Sequence, residues 1–406
     1  MPAFRRLLKP LALALGALLV AAGVWDVATY DRHAWLSDYS RVKRDMAQGY
    51  ANLDWMVEKR GIDLVALDRD TTAALQEAHS RVRAFIALRR FVRAFADPHL
   101  RMQPGEHRQS AGPTTASAAS SMETMPVDTP AGSDCQAAGY EEGDHGFGLP
   151  VDRLPGWKPV RGGDFPSGLV GDTGVLRIAQ FGEDRYLDAC REVFRAGIGD
   201  RVLQLAVRAR QQALLTETIS ELRARGARRL LVDVTGNGGG SEWVSEVIAL
   251  MTDRTLRREE PRMAAPTCDR QAVWQGNPAP CPVYADAAAE ISTLQGTGTW
   301  RGPVLVAADA GTGSAAEDFV VWLQQNGVAK VLGERTAGAG CGYANGGTIT
   351  RLSVVRVDVW MPNCSRFLAN GTNEVEGIRP DLPLALREGE PDQVAQGLRA
   401  VLARVD

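Results

Sequence analysis

Two segments of this chain repeat one plan: a near-continuous apolar run, a glycine-rich turn, and the start of a helical pattern. The first is Leu230-Leu231-Val232-Asp233-Val234, then Gly236-Asn237-Gly238-Gly239-Gly240, then a helix pattern from near Ser241. The second is Val304-Leu305-Val306-Ala307-Ala308, a Gly-rich turn, and a helix pattern from Ser314 to about Gln325, ended by Asn326-Gly327. A strand that is apolar on both faces needs cover on both, which is the situation of a parallel sheet flanked by helices. Val175-Leu176-Arg177-Ile178 and Lys330-Val331-Leu332-Gly333 add strand patterns, and a long helical stretch runs from about Asp200 to Ala224. This alternation predicts an α/β core.

The chain before this core has a different texture. Residues from about Tyr30 to Leu100 look helical, and from Thr71 to Phe95 apolar residues recur at helical spacing, among them Leu75, Ala78, Val82, Leu88, Phe91 and Phe95. Asp70 and Thr71 are the expected caps, and His79 falls inside the pattern. The helix is expected to stop at Ala96-Asp97-Pro98-His99, because proline breaks it. A stretch rich in Ser, Thr, Ala, Pro and Gly then runs from Gln103 to Asp134 and reads as a loop or linker.

The N-terminus carries a compartment signal. Arg5, Arg6 and Lys9 precede an apolar run from Leu11 to Trp25, whose length suits a signal peptide more than a comfortable membrane span. Ala21, Ala22 and Gly23 are small enough to precede a cleavage site, and an uncleaved signal anchor, holding the protein at a membrane, is the rival. Six cysteines follow: Cys135, Cys190, Cys268, Cys281, Cys341 and Cys364. An even count behind an export signal reads as a disulfide set. Short separation favours Cys268–Cys281 and Cys341–Cys364, leaving Cys135 with Cys190, although the sequence alone leaves the pairing open. No C-x-x-C pair and no histidine at ligand spacing calls for a metal, and no cofactor is expected. The formal net charge of −3 gives no reason to expect nucleic acid as a partner. The arginines from Arg208 to Arg229 read as a solvated helix face.

Chemistry enters at Ser314. It follows a buried strand and opens a helix, so its hydroxyl stands at the positive helix end, near backbone N–H groups that have no intrahelical partner. Acyl transfer needs such a nucleophile and such donors. The plainer alternative is a cap, since Ser-x-x-Glu, here Ser314 and Glu317, is a capping box. The Gly238-Gly239-Gly240 turn offers further free N–H groups. It lacks the Lys-Ser/Thr ending of a P-loop and the spacing of a dinucleotide fingerprint.

Taken together, three motifs resemble the serine peptidase family that includes the carboxy-terminal processing (tail-specific) proteases, the tricorn core protease and the retinoid-binding repeats. Leu231 to Gly240 is similar to the family's strand and D-x-R-x-N-x-G-G turn, with Thr235 at the usual Arg. Gly313-Ser314-Ala315-Ala316-Glu317 resembles its S-A-x-E box, and Gly333-Glu334-Arg335-Thr336-Ala337-Gly338 its G-E-x-T-x-G turn. The resemblance implies a ClpP/crotonase-like core of stacked ββα units with an N-terminal helical domain. The chain then divides into a signal peptide or anchor (1–25), a helical domain (30–102), a polar loop or linker (103–145), a peptidase catalytic domain (146–390) and a C-terminal helix (391–406).

The processing proteases place a lysine base after the glycine that closes the last turn, and this chain has Ala339 there. The tricorn-like branch uses a histidine from before the core and a late glutamate. Asp97-Pro98-His99 resembles its D-x-H segment, and Glu374-Val375-Glu376-Gly377-Ile378-Arg379-Pro380-Asp381 its E-x-x-G-[IV]-x-P-D segment. The resemblance therefore implies Ser314 as nucleophile, His99 as base, Glu374 as the acid that orients it, and N–H groups of Gly239 and Ala315 as the oxyanion hole. An extended Glu-Val-Glu would send both carboxylates the same way, so only the E-x-x-G register selects Glu374 over Glu376. Among the five histidines, His99 alone sits at a Pro-marked turn. Glu317 is expected to be structural. Ala111 to Pro166 is too poor in apolar residues for the PDZ domain of the processing proteases. The substrate implied is a protein or peptide, for an exported, periplasmic or secreted enzyme. Rival readings are a catalytically silent peptide- or lipid-binding protein on the same fold, a thiol enzyme using Cys341, and a crotonase-type acyl-CoA enzyme.

Overall fold

A computed structural model of the chain describes residues 18, 20–105, 130–265, 267–285, 289–387 and 389–404. Arg5, Arg6, Lys9, most of the apolar run up to Trp25, His107 and most of the polar stretch 103–134 lie outside the described residues. Among the described residues no helix is long and apolar enough to cross a membrane. The chain forms two compact units. One gathers Met1–Ser110, Arg262–Ala287 and Gly342–Ser365, and the other Ala111–Pro261, Ala288–Cys341 and Arg366–Asp406.

The second unit contains the expected α/β core. Seven strands form one sheet in the order Leu382–Pro383, Ala329–Gly333, Val304–Ala308, Arg229–Asp233, Thr173–Arg177, Ser167–Val170, Trp157–Arg161. Neighbours run parallel from Leu382–Pro383 through Thr173–Arg177, and the last two strands join antiparallel. The register pairs Leu231 with Leu305 and Val232 with Val306. Alternation then sends Leu230, Val232, Val304 and Val306 to one face. There they meet Leu215 and Leu222 of the helix Asp200–Ala224, Val247 of Trp243–Leu250, and Phe319 and Leu323 of Ala315–Gln325. Leu231, Leu305 and Leu332 face the other way, onto Leu149, Leu154 and the helix Pro391–Leu402 through Ala395, Leu398 and Leu402. Cover on both faces is why these strands have no polar alternation.

All six cysteines are oxidised. Cys135 bonds Cys190, Cys268 bonds Cys281, and Cys341 and Cys364 are also disulfide-bonded. The Cys135–Cys190 bridge spans 55 residues. In the chain-entropy account, closing such a loop stabilises the folded state by about 4 kcal/mol.

Helices of the first unit include Arg32–Gly49, Leu53–Glu58, Leu64–Glu77 and Arg81–Arg93. Strands Arg101–Pro104, Val357–Met361 and Thr348–Arg351 form an antiparallel sheet. The single helix expected from Thr71 to Phe95 is two helices, and His79 lies exposed in the break between them. Ala78 and Ser80 are extended, and Ser80 Oγ accepts the Arg83 N–H at 3.3 Å. The caps are therefore Asp63 and Ser80 rather than Asp70 and Thr71. A serine that caps offers the backbone an alternative to continuing the previous helix. The apolar spacing ran through the break because Leu75, Ala78, Leu88 and Phe91 are all buried.

In the second unit, burial raises the Asp164 carboxyl above its ordinary value of 3.8, against the opposing pull of His145, whose Nε2 lies 3.9 Å away. A carboxyl with a raised folded value binds its proton more tightly in the folded state. Its contribution to stability is present below the ordinary value and is lost as pH rises through the folded one. Asp164→Asn removes that loss, so it should raise the melting temperature more at pH 8 than at pH 3.5. Equal shifts at the two pH values would contradict the assignment.

Candidate active site

The two glycine-rich turns meet in the second unit. The Gly313 N–H donates to Asn237 O at 2.9 Å, and Thr312 Oγ1 donates to Val234 O at 2.9 Å. Asp309 Oδ1 accepts from Gly236 N–H at 2.7 Å and from Gly311 N–H at 3.0 Å. The turn after Arg229–Asp233 is fixed from below by the buried Asp233. Its carboxylate accepts from Gly148 N–H, Leu149 N–H and Thr235 Oγ1 at 2.9, 3.1 and 2.7 Å, and from Arg177 Nη1 at 3.2 Å. Thr235, which stands at the family's usual arginine, thus bonds the aspartate, and a guanidinium reaches it from the neighbouring strand.

Ser314 opens the helix Ala315–Gln325 and forms a capping box with Glu317: its side chain faces the Glu317 backbone, and its own N–H donates to Glu317 Oε2 at 3.1 Å. Its backbone sits at φ 56°, ψ −120°. That conformation costs a non-glycine residue on the order of 1–3 kcal/mol, and it persists only where the surroundings enforce it. The half-buried hydroxyl is thereby held at a helix N-terminus. Gly239, at φ 108°, lies against it: a Cβ there would stand 2.7 Å from Ser314 Cβ and 2.9 Å from Ala315 N. The Gly239 N–H donates to Asn237 Oδ1 at 2.9 Å. Ala339 is buried, and its Cβ is 3.5 Å from where a Cβ on Gly313 would lie, so a methyl occupies the place of the lysine.

Glu317 is structural, as expected. It is fully buried, and besides Ser314 it accepts from Thr336 Oγ1 at 2.5 Å and from the N–H groups of Gly338, Ala339 and Gly340 at 2.7, 2.9 and 3.0 Å.

Glu374–Glu376 is a 3-10 turn, capped by Asn373 Oδ1 on the Val375 N–H at 3.0 Å, and not the extended segment expected. The two carboxylates therefore do not share a face. Glu374 is fully buried, while Glu376 is partly exposed. Glu374 pairs with Arg258 and, at 3.1 Å, with Arg366 Nε, and both arginines also reach Asp318. Burial lowers the Arg258 guanidinium to about 10, opposed by the Asp318 charge. These arginines have no signature in the sequence pattern.

In the first unit, His99 is held at a turn built by Asp97. The buried Asp97 accepts the His99 N–H at 2.9 Å on one oxygen, and Tyr50 Oη at 2.9 Å and Asn52 Nδ2 at 3.0 Å on the other. Burial, with the Asp97 charge, keeps the Tyr50 phenol well above its ordinary value, so it remains a donor. The Tyr343 hydroxyl donates to His99 O, and its ring meets the imidazole edge-on at 5.1 Å. Gly342, at φ 77°, makes room: a Cβ there would lie 2.8 Å from His99 Cε1. His33 and His79 are exposed. Among the described residues, no group of His, Cys, Asp or Glu could hold a metal ion.

The sequence model described as Peptidase family S41 matches residues 172–383. Mature CPAF in complex with lactacystin superposes with a TM-score of 0.61 at 15% identity, over 91% of this chain and 97% of that one. Mature CPAF gives 0.57 at 15% identity, over 92% and 96%. A peptidase candidate from Parabacteroides merdae ATCC 43184 gives 0.56 at 14% identity, over 90% and 95%. These likenesses are of fold. No curated protein matches the chain.

Gly239→Ala should destabilise the second unit by about 1–3 kcal/mol, because it adds a Cβ at positive φ against Ser314. Urea denaturation followed by tryptophan fluorescence measures this, and an unchanged midpoint would contradict the close approach of the two turns.

Proposed function

The chain belongs to peptidase family S41 and is a serine peptidase, and from that premise we propose that Ser314 is its nucleophile, His99 its general base and Glu374 the acid that orients the base. The observation that carries the proposal is the state of Ser314. Its backbone is held in a costly conformation at a helix N-terminus, and the Gly239 turn lies against it. Ala339 excludes a lysine base at the position the processing proteases use. His99 is supported by the Asp97 turn, which fixes its backbone, and by Gly342, which leaves space for its ring.

In this reading Ser314 Oγ attacks the scissile carbonyl of a peptide while His99 takes its proton. The Ala315 N–H, at the first turn of the helix, and the Gly239 N–H receive the oxyanion. Gly239 must exchange its bond to Asn237 Oδ1 to do so. His99 then protonates the leaving amine, and an acyl-enzyme remains on Ser314. Water, deprotonated by His99, releases the acyl group. Oxidised cysteines fit a protein that works outside the reducing cytosol, so the enzyme is read as exported, periplasmic or secreted, with the N-terminal apolar segment as its signal.

Ser314→Ala should abolish hydrolysis of a peptide library. It should cost only about 1 kcal/mol of stability, as the loss of a helix cap typically does. Undiminished hydrolysis by the purified variant would refute the nucleophile.

Substituting Glu374 and Glu376 separately by Gln tests the third member. Turnover per active enzyme should fall further in the Glu374 variant. A larger fall at Glu376 would transfer the role to that residue.

A further inference from the structure

Arg366 has no part in the catalytic scheme above, yet its guanidinium reaches the nucleophile's own backbone. Nη2 donates to Ser314 O at 3.1 Å and to Gly340 O at 2.6 Å. Nη1 lies 2.9 Å from Asp318 Oδ1, and Nε 3.1 Å from Glu374 Oε2. The Arg366 carbonyl in turn accepts the Glu374 N–H at 2.9 Å. One side chain, 10% exposed, therefore ties together the nucleophile turn, the turn after Thr336, the first turn of the helix and the acidic segment.

We propose that Arg366 is a positioning residue of the peptidase reaction, holding the Ser314 peptide in the strained conformation that presents the hydroxyl. The proposal rests on Ser314 being the nucleophile. A residue at φ 56°, ψ −120° relaxes unless the peptide groups on both sides of its Cα are fixed. The preceding peptide is fixed through the Ser314 N–H on Glu317, and the following one through the Ser314 O on Arg366 and on the Asp318 N–H at 3.0 Å. Glu317 thus restrains φ and Arg366 helps to restrain ψ. The requirement is for a planar fork. Nη2 serves both carbonyls while Nη1 and Nε serve Asp318 and Glu374; a lysine keeps the charge, but its single nitrogen cannot stand at all three places, so the carboxylates draw it from the carbonyls. Loss of the fork lets the Ser314 peptide rotate and moves Oγ. A displacement near 1 Å is enough for a loss of about 100-fold in rate.

The test uses the full chain and Arg366→Lys, with active enzyme counted by titration with a fluorophosphonate. The kcat per titrated site should fall about 10- to 100-fold, with KM for a peptide substrate within about twofold, since Arg366 makes no substrate contact in this account. A merely structural arginine would lower the melting temperature and the yield of active enzyme while leaving kcat per titrated site unchanged, and that result overturns the proposal. A double-mutant cycle with Ser314→Gly reads the same clamp without activity. Glycine adopts the conformation without strain, so Arg366→Lys should shift the urea midpoint less in the Ser314→Gly background than in the native chain. Additive shifts overturn the proposal. If Arg366→Lys alone fails to fold, recovery of a folded chain on adding Ser314→Gly supports the clamp, and failure of both overturns it. Activity that survives Ser314→Ala would instead refute the nucleophile, a result separate from all of these.

Discussion

Glu317 sits fully buried one turn into the helix that Ser314 opens, and its two oxygens accept from Ser314 N–H, Thr336 Oγ1 and the N–H groups of Gly338, Ala339 and Gly340. A buried carboxylate is tolerated when donors of this kind satisfy it, and removing it leaves several buried N–H groups without partners. Through these bonds one side chain joins the nucleophile turn to the turn that follows Ala329–Gly333. Thr336 carries the connection further, since its Oγ1 accepts the Ile378 N–H at 2.7 Å and its N–H donates to Ile378 O at 3.1 Å. The acidic segment at Glu374–Glu376 is thus tied, through Ile378, to the helix that presents Ser314.

Around that anchor the sheet supplies rigidity and the glycines supply close approach. Parallel strands deliver the turns after Asp233, Ala308 and Gly333 to the same end of the sheet, which is where ligands and chemistry gather in open α/β sheets. Gly239 is small because Ser314 stands where its side chain would be, and Gly342 is small because the His99 ring does. Both also hold a positive φ that other residues adopt at a cost. Charge in the second unit is arranged in the same spirit. Asp318 and Glu374 face Arg258 and Arg366, so the buried Glu374 carboxylate and the partly buried Asp318 carboxylate are matched by two guanidiniums.

What was legible in the sequence was what local pattern encodes. The apolar runs at Leu230–Val234 and Val304–Ala308, and the helix from Asp200 to Ala224, appear in the structure within a residue of where they were read. Asn326 ends the helix after Ser314 as expected. The helix break at His79 was hidden because the buried face continues on both sides of it, and only the capping bond of Ser80 reveals it. Glu-Val-Glu was read as extended, but Asn373 caps it and Gly377 leaves it at φ 73°, so it turns. The arginine pair was invisible for another reason. Arg258 and Arg366 lie far apart in the chain, and a buried arginine looks no different in a sequence from a solvated one. In the sequence Asp97 is only one letter of a motif, whereas its three bonds are what fix the backbone at His99.

The central claim is that Ser314 is the residue that becomes acylated. A fluorophosphonate reacts covalently with an activated serine, and peptide mapping of the labelled full-length chain by mass spectrometry locates the adduct. A single adduct is expected, on the peptide containing Gly313-Ser314-Ala315, formed by the folded chain and absent after denaturation. An adduct on a different serine of the folded chain, or peptide hydrolysis that continues with Ser314 unlabelled in the presence of the probe, would contradict it.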